Sequence, residues 1–409
     1  MKLYKKHVSD LGKVITGKTP RTSILENYGG KIPFLTPSDN LSEKFSPTTS
    51  KTLTKNGLNE VKNCLLPSKS ICVSCIGSDL GKVVLTKKPT VTNQQFNSIV
   101  PNEENDADFI YYLMTVVGKH LNYLSKTSTA VPIINKSTFA NYEIEIPNIK
   151  EQKRIGEILS SLDDKIELNR RINDNLEQQA QALFKSWFVD FEPFKEGKFV
   201  DSELGMIPEN WRVCSAETIF KINIGKTPPR KEQQWFTNIN NGNVKWISIS
   251  DLGSNEIFIE DSKEYLTKEA ISKFNIIVVP EDTILVSFKL TVGRVGISNC
   301  ELTTNEAVAR FYLPKSYFRE YTYLSLKNYN YARLGSTSSI ATAVNSKIIK
   351  NMKLLIPPVT IISEFSKRIN PLFNAIRIYE NEIRNLSKIR NTLLPKLMSG
   401  ELKINDINN

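Results

Sequence analysis

The stretch G-K-T-P at residues 17–20 returns as G-K-T-P at residues 225–228, about 210 residues further along the chain. Other segments return in the same order at a similar interval: S-D at 38–39 and 250–251, G-K-V at 81–83 and G-R-V at 293–295, T-N-Q at 92–94 and T-N-E at 304–306, and I-P at 146–147 and 356–357. An interval this long indicates a duplicated domain rather than one turn of a solenoid. Two similar domains favour a two-part ligand, with one part read by each domain.

Alternating strand and helix patterns predict the domain organisation. Short β-rich runs bounded by Gly, Pro, Asn and Ser fill both copies, and Ile276–Val279 is among the predicted strands. A shorter helix is predicted over residues 107–124. The predicted boundaries are a first strand-rich domain at 1–150, a central coiled-coil helix at 151–190, a linker at 191–208, a second strand-rich domain at 209–358, a distal coiled-coil helix at 359–399 and a tail at 400–409.

Each copy ends in a heptad pattern that predicts a long helix, with a polar middle at Asn169 and Asn173 in the first. The predicted seam positions are Ile155, Leu159, Leu162, Ile166, Leu176 and Leu183 in the first helix, and Phe365, Ile369, Leu372, Ile376, Tyr379, Ile383 and Leu386 in the second. Antiparallel pairing of the two helices through these stripes would place the two strand-rich domains at opposite ends of the helix pair. The alternative is that each helix packs only on its own domain. Gly400 is the predicted stop of the second helix.

Composition and charge indicate the kind of binding partner and the cellular compartment. The net charge of +11 favours a polyanion, because each basic side chain placed on a phosphate releases counterions. A merely basic surface without a specific partner is the alternative. Five cysteines without regular spacing, no signal-peptide core and no long apolar run lead us to expect a cytoplasmic protein with reduced thiols and no membrane partner.

Two motifs look catalytic and are interpreted as structural. Residues 12–19 match the P-loop pattern, but Pro20 follows directly where a helix should begin, and the second copy has Phe220 where the first glycine belongs. Cys72 and Cys75 form a C-x-x-C without the second ligand pair that structural zinc requires, which favours core packing. The chain also contains no G-x-G segment. We therefore expect no catalytic residue, no metal site and no cofactor site in this chain.

The repeated loops are the better candidates for a binding surface. Lys, Arg, Ser and Thr can hold phosphates, and Arg also reads base edges. The candidate DNA-binding residues share a basic or hydroxyl side chain in these loops: Lys18, Thr19, Arg21, Lys82, Ser128, Thr129, Lys226, Thr227, Arg230, Lys289, Arg294, Ser336, Thr337 and Ser338. Each alone is explained equally well by a solvated loop. The recurrence of the same chemistry in both copies favours a function.

Taken together, these motifs resemble the specificity subunits of type I restriction–modification systems. The resemblance covers essentially the whole chain. It is carried by G-K-T-P in both copies, I-P-x-x-x-x-Q-x-x-I at 146–155, L-x-x-L-D-x-K-I at 159–166, F-K-S-W-F-V-D-F at 184–191 and L-L-P-K-L-M-S-G-E-L at 393–402. The second helix departs from the Gln-x-x-Ile entry and begins P-V-T-I at 358–361.

The resemblance implies an α+β fold with two similar strand-rich target recognition domains joined by two long antiparallel coiled-coil helices. It implies that each domain reads one half of an asymmetric double-stranded DNA site. The helices would present surfaces to two methyltransferase subunits, and restriction subunits would complete the assembly. S-adenosylmethionine, ATP and Mg would then belong to the partner subunits, and this chain would be non-catalytic.

Two other functions remain open from the sequence. One is an enzyme, either a fused DNA methyltransferase/nuclease or a P-loop NTPase, which binding of S-adenosylmethionine or ATP by the isolated chain would reveal. The other is a similar specificity subunit that serves a different restriction type, which copurifying partners would reveal. The DNA sequence, its spacer and the base-reading residues do not follow from the sequence.

Overall fold

The computed structural model describes residues 1–45, 48–125, 133–253, 256–334 and 345–403. Among these residues, no helix combines the length and the apolar character needed to cross a membrane.

Short strands and a helix of intermediate length make up most of the first copy, as the sequence predicts, and two short helices are added to them. The strands are β1 (Tyr4–His7), β2 (Gly12–Thr16), β3 (Tyr28–Leu35), β4 (Lys51–Leu53), β5 (Leu65–Leu66), β6 (Ile71–Ser74), β7 (Val83–Leu85), β8 (Thr90–Thr92), β9 (Phe96–Pro101) and β10 (Glu143–Ile146). The helices are α1 (Lys55–Glu60), α2 (Ala107–Ser125), α3 (Lys136–Ala140) and the long α4 (Ile149–Phe188). The predicted helix over 107–124 is confirmed by α2.

The second copy repeats this order after a short hairpin. Its strands are β11 (Phe199–Val200), β12 (Ile207–Pro208), β13 (Arg212–Ser215), β14 (Lys221–Ile224), β15 (Phe236–Thr237), β16 (Val244–Ile247), β17 (Phe258–Ile259), β18 (Tyr265–Leu266), β19 (Ile284–Ser287), β20 (Val295–Ser298), β21 (Thr303–Thr304), β22 (Val308–Tyr312) and β23 (Lys353–Ile356). Its helices are α5 (Ala216–Ile219), α6 (Lys268–Lys273), α7 (Arg319–Lys327), α8 (Ser346–Lys350) and the long α9 (Val359–Ser399).

The sheets show the duplication directly. The first copy contains a sheet of order β2-β9-β6-β7, and the second contains the same order, β14-β22-β19-β20, with β17 added at the edge. A further sheet in each copy includes one parallel pair, β3 with β8 and β16 with β21. The pair β1–β10 has its counterpart in β13–β23. The predicted α+β fold with two similar strand-rich domains is therefore confirmed.

The chain divides into two compact units. One comprises Met1–Glu167 with Arg384–Asn409, and the other comprises Leu168–Ile383. Each unit thus contains one strand-rich copy and one segment of each long helix. The domain boundaries expected from the sequence remain a prediction.

In the first unit, the segments of α4 and α9 share one core with the strand-rich domain. Ile155 and Leu159 are fully buried in the same cluster as Phe109, Leu394 and Leu397. The buried Lys44 ammonium donates to Asp108 Oδ1 at 2.6 Å and to Ser160 Oγ of α4 at 2.8 Å. The two packing modes weighed from the sequence are therefore not alternatives, because the stripe contacts the domain and the other helix together.

In the second unit, aromatic rings join the helices. Phe365 of α9 lies 4.7 Å from the Phe188 ring centroid and 5.6 Å from that of Trp187. Further along, Asn169 Nδ2 donates to Glu382 Oε2 at 2.9 Å. Contacts between 169 and 382 and between 187 and 365 establish antiparallel pairing within this unit. The buried Glu380 carboxylate also accepts N–H groups of β17 and the residue before it, at 3.0 and 2.6 Å.

The predicted seam residues differ in their burial. Those with at most 2% exposure are Ile155, Leu159, Ile166, Phe365, Ile369 and Ile376. Those half-buried are Leu162, Leu176, Leu183, Leu372, Tyr379, Ile383 and Leu386. The helix α9 ends at Ser399, and Gly400 follows at φ +74°, so the predicted stop is confirmed. A left-handed residue after a helix is a position that glycine fills at no steric cost.

The strand predicted over Ile276–Val279 is wrong. In this segment only Val279 forms an isolated bridge, to Leu302, and Ile277 is 50% exposed. The carbonyl of Ile277 accepts side-chain hydrogen bonds instead, from Arg310 Nη1 at 2.8 Å and Thr303 Oγ1 at 3.1 Å. Side chains therefore satisfy the backbone group that a ladder would have used.

Candidate nucleic-acid interface

Both G-K-T-P loops lie tightly against a neighbouring strand end. A Cβ at Gly17 would overlap the carbonyl oxygens of Thr92 and Asn93, and a Cβ at Gly225 would overlap those of Thr304 and Asn305. Only glycine permits such a close approach of two backbones.

The residues after each glycine form matching bonds. Lys18 N donates to Thr92 O at 2.9 Å, and Lys226 N donates to Thr304 O at 3.0 Å. Thr19 Oγ1 donates to Gln94 Oε1 at 2.6 Å. Thr227 Oγ1 donates to Glu306 in the same way. The two loops therefore have the same backbone arrangement, and they differ in the side chain that accepts from the threonine.

A serine- and aspartate-containing turn completes the repeated surface. Asp39 Oδ2 accepts from Thr36 N at 2.7 Å, and Asp251 Oδ2 accepts from Ser248 N at 2.8 Å. Asn93 N donates to Leu35 O at 3.1 Å and Asn305 N donates to Ile247 O at 2.9 Å, so the strand end before each turn is tied to the T-N-Q or T-N-E loop. We call residues 17–21, 36–39 and 92–94 surface 1. Surface 2 is formed by residues 225–230, 248–251 and 304–306.

The cations of the first copy are exposed. Lys18 and Lys82 form no hydrogen bond or ion pair through their ammonium groups with other described residues. The backbone N–H of Arg21 donates to Glu60 Oε2 at 2.9 Å, and this bond lowers the pKa of the Glu60 carboxyl. Pro20 O accepts from Tyr28 OH at 2.8 Å, and burial raises the pKa of Tyr28. The loop backbone is thus fixed while its basic side chains face solvent.

Arg230 in the second copy is held by its own domain. Its guanidinium donates to both Glu264 oxygens at 2.8 Å and lies 4.3 Å from the Phe236 ring centroid and 4.5 Å from that of Trp246. The hydrogen bond raises the pKa of Arg230 and lowers that of Glu264. A bidentate carboxylate occupies the donors that a phosphate or guanine would take.

Two further cations of the second copy are also engaged. Lys226 Nζ donates to Phe274 O at 2.6 Å, and Arg294 Nη1 donates to Ile249 O at 2.8 Å. Lys289 is exposed and lies 5.9 Å from the Phe288 ring centroid. Lys82 and Arg294 follow equivalent left-handed glycines, Gly81 at φ +86° and Gly293 at φ +89°. Equivalent positions therefore carry a solvated lysine in one copy and an anchored arginine in the other.

Some candidate residues lie outside the part of the chain that the structure describes: Ser128, Thr129, Ser336, Thr337 and Ser338. Sequence reasoning missed Glu264, because it lies outside the repeated loops and no pattern connects it with Arg230.

The two motifs that look catalytic are a strand with the loop after it and a buried segment of the core. The P-loop match lies on strand β2, and no α-helix begins at Lys18 or Thr19. Cys72 and Cys75 are buried to 0% and 2% exposure, which raises the pKa of their thiols to about 12 and about 11. In the described part of the chain, no group of His, Cys, Asp or Glu residues is arranged to hold a metal ion.

Two copies of one domain that present the same three-loop surface, with basic side chains around it, define a two-part recognition protein. The family model for the type I restriction modification DNA specificity domain matches residues 2–178 and again 208–388. The chain belongs to this family. It is a specificity subunit of a type I restriction–modification system, with two target recognition domains.

Relatives match along nearly the whole chain. The type I restriction enzyme MjaIX specificity subunit of Methanocaldococcus jannaschii is 31% identical over 416 residues, covering 98% of this chain and 94% of the relative. The HindI specificity subunit of Haemophilus influenzae is 24% identical over 391 residues, covering 80% and 83%. The solved S subunit of a type-I restriction–modification system from M. genitalium shares the fold, with TM-score 0.59, 17% identity and coverage of 97% and 96%.

Proposed function

We propose that this subunit reads a bipartite, asymmetric site on double-stranded DNA, with residues 1–150 reading one half and 209–358 the other. The observation that carries the proposal is that surface 1 and surface 2 share one backbone arrangement but differ in side chains. A shared backbone gives both domains the same way of meeting a duplex. Different side chains give each a different sequence preference.

Phosphate contacts would come first from the cations that remain exposed: Lys18 and Lys82 in the first domain and Lys289 in the second. Such contacts position a protein on DNA without reading its sequence. The hydroxyl side chains of surfaces 1 and 2 and the exposed Arg21 are the proposed partners of base edges and further phosphates.

The remaining parts of the proposed complex would be supplied by other chains. Two methyltransferase subunits would dock on the long helices, which expose apolar residues such as Leu168 (50%), Ile378 (64%) and Ile389 (48%). Restriction subunits would join them. S-adenosylmethionine, ATP and Mg would be bound by these cytoplasmic partners, and the specificity subunit itself would be non-catalytic.

An exchange of recognition domains tests the reading of two half-sites. Residues 1–150 are replaced by the corresponding region of a relative, and the genome of the producing cell is sequenced with detection of methylated adenine. The expected result is a change in one half of the methylated site, with the other half and its spacing retained. A change in both halves would refute independent reading.

Calorimetry on the isolated chain tests whether the cofactors bind to the partner subunits rather than to this chain. Neither S-adenosylmethionine nor ATP should bind, because the chain contains no G-x-G segment and its P-loop match at 12–19 is followed by Pro20 rather than by a helix. A micromolar dissociation constant for either would contradict the proposal. A duplex containing the methylated site provides the positive control.

A further inference from the structure

Leu290 stands alone at the tip of a loop in the second domain. Its side chain is 98% exposed, and its backbone has φ +57°. Of the exposed large apolar side chains in the described part of the chain, Leu290 is the most exposed, and a bulky residue in the left-handed region is a genuine outlier. The left-handed backbone works against stability, and such strain at a fully exposed side chain points to a role in binding.

The loop around Leu290 is held firmly at its base. Ser287 Oγ donates to Thr291 O at 2.6 Å and accepts from Arg294 N at 3.0 Å, while Gly293 N donates to Ser287 O at 2.9 Å. The leucine is therefore presented in a set position. A loop backbone that is already ordered loses little freedom when it binds.

The same loop is joined to surface 2 at both ends. Phe288 N donates to Ala307 O at 3.0 Å, next to Glu306, and the Arg294 guanidinium contacts Ile249 O. In the first domain the equivalent loop also has a left-handed residue three positions after its serine, but there it is Gly77 at φ +84°. Only the second domain places an apolar side chain at this tip.

We propose that Leu290 is an apolar base contact of the second recognition domain, and this inference rests on the proposed reading of DNA by surface 2. The exposed Lys289 beside it and the absence of any carboxylate from residues 288–294 suit a polyanion. Leucine side chains contact thymine methyl groups in the major groove or enter base steps in the minor groove. A protein partner is the competing occupant.

Leu290→Gly is the decisive variant, because glycine removes the side chain and accepts the left-handed backbone. The complex with its methyltransferase subunits is titrated with a duplex carrying the methylated site and with one whose second half-site is scrambled. Affinity for the first should fall about 10- to 100-fold, the range expected for one buried leucine. Affinity for the scrambled duplex, the salt dependence and the melting temperature should not fall. Leu290→Met should largely restore binding.

Met206→Gly is the matched control, since Met206 is 57% exposed in the β11–β12 hairpin, outside surface 2. Its affinity should match the unsubstituted complex. Three results would overturn the role of Leu290: cognate affinity of the glycine variant within twofold, equal loss on both duplexes, or loss of the methyltransferase subunits on purification. If the unsubstituted complex itself fails to prefer the methylated site, the proposed function is what fails.

Discussion

Surface 1 and surface 2 have the same backbone and use their cations differently. In surface 1 the Lys18 ammonium forms no hydrogen bond or ion pair with other described residues, while in surface 2 the Lys226 ammonium donates to Phe274 O. The Arg230 guanidinium likewise donates to the Glu264 carboxylate. A duplicated loop therefore does not guarantee a duplicated charge. What each copy offers to a polyanion depends on residues outside the repeated loops.

The largest effect is expected where the two surfaces are the same. Gly17→Ala and Gly225→Ala each place a Cβ against backbone oxygens that cannot move independently of a strand. Each should cost about 3 kcal/mol, the upper range for overpacking, and abolish reading of its own half-site only. Chemical denaturation and methylation sequencing would measure the two effects.

Gly77→Ala is the control for this pair, because nothing lies within 4 Å of the added carbon. Its cost of about 1 kcal/mol would come from the left-handed backbone alone. A loss in Gly17→Ala or Gly225→Ala no larger than in this control would show that the close approach is relaxed in solution.

A smaller effect should separate the two loop lysines. Lys18→Ala should weaken binding to all duplexes about three- to tenfold and reduce the slope of log affinity against log salt by about 1, as loss of a phosphate contact does. Lys226→Ala should have less effect, because Nζ already donates to Phe274 O. Titrations at several salt concentrations measure both. Equal losses would mean that the Lys226 bond opens when DNA binds.

The smallest effect should be a gain in DNA affinity rather than a loss. Glu264→Gln leaves the Arg230 guanidinium without its counter-charge, so non-specific DNA affinity should rise about twofold and become more salt-dependent. Binding of a duplex without the methylated site measures this. Unchanged affinity would place Arg230 away from DNA.

The stability difference between the unsubstituted protein and Glu264→Gln should depend on pH. The pKa of the folded Glu264 carboxyl is lowered by Arg230, so the pair stabilises the fold above the ordinary glutamate value of about 4.3 and is lost as pH falls through the lowered value. Both side chains are more than a third exposed, and screening keeps the contribution below about 1 kcal/mol. Denaturation should show this difference at pH 7, and the difference should shrink as the pH falls through the lowered pKa.

Much of the fold follows from patterns that extend over many residues. Heptad spacing predicts α4 and α9, because a continuous apolar stripe of that length has few other structures available. The repeat predicts two similar domains. The segment Ile276–Val279 fails because its strand-like composition is overridden by Arg310 and Thr303, which take the Ile277 carbonyl. Those donors come from residues distant in sequence.

The candidate site follows from the sequence only in its loops. G-K-T-P and T-N-Q/E lie together in both copies, as repeats in matching order suggest. Whether a basic side chain is available depends on tertiary neighbours, and neither Glu264 nor Phe274 carries a motif. Similarly, the sequence does not predict the left-handed backbone of Leu290, because leucine rarely adopts it. At the equivalent position of the first domain, Gly77 is a residue typical of that conformation.

The division of each long helix between two units has a consequence for biosynthesis. The unit Leu168–Ile383 is one continuous stretch, whereas the other needs Arg384–Asn409 as well as Met1–Glu167. The unit that the ribosome begins first is therefore completed last. At about 5–20 residues per second, the roughly 200 intervening residues leave Ile155 and Leu159 without Leu394 and Leu397 for tens of seconds. During that interval the nascent chain exposes an apolar helix face that chaperones would recognise.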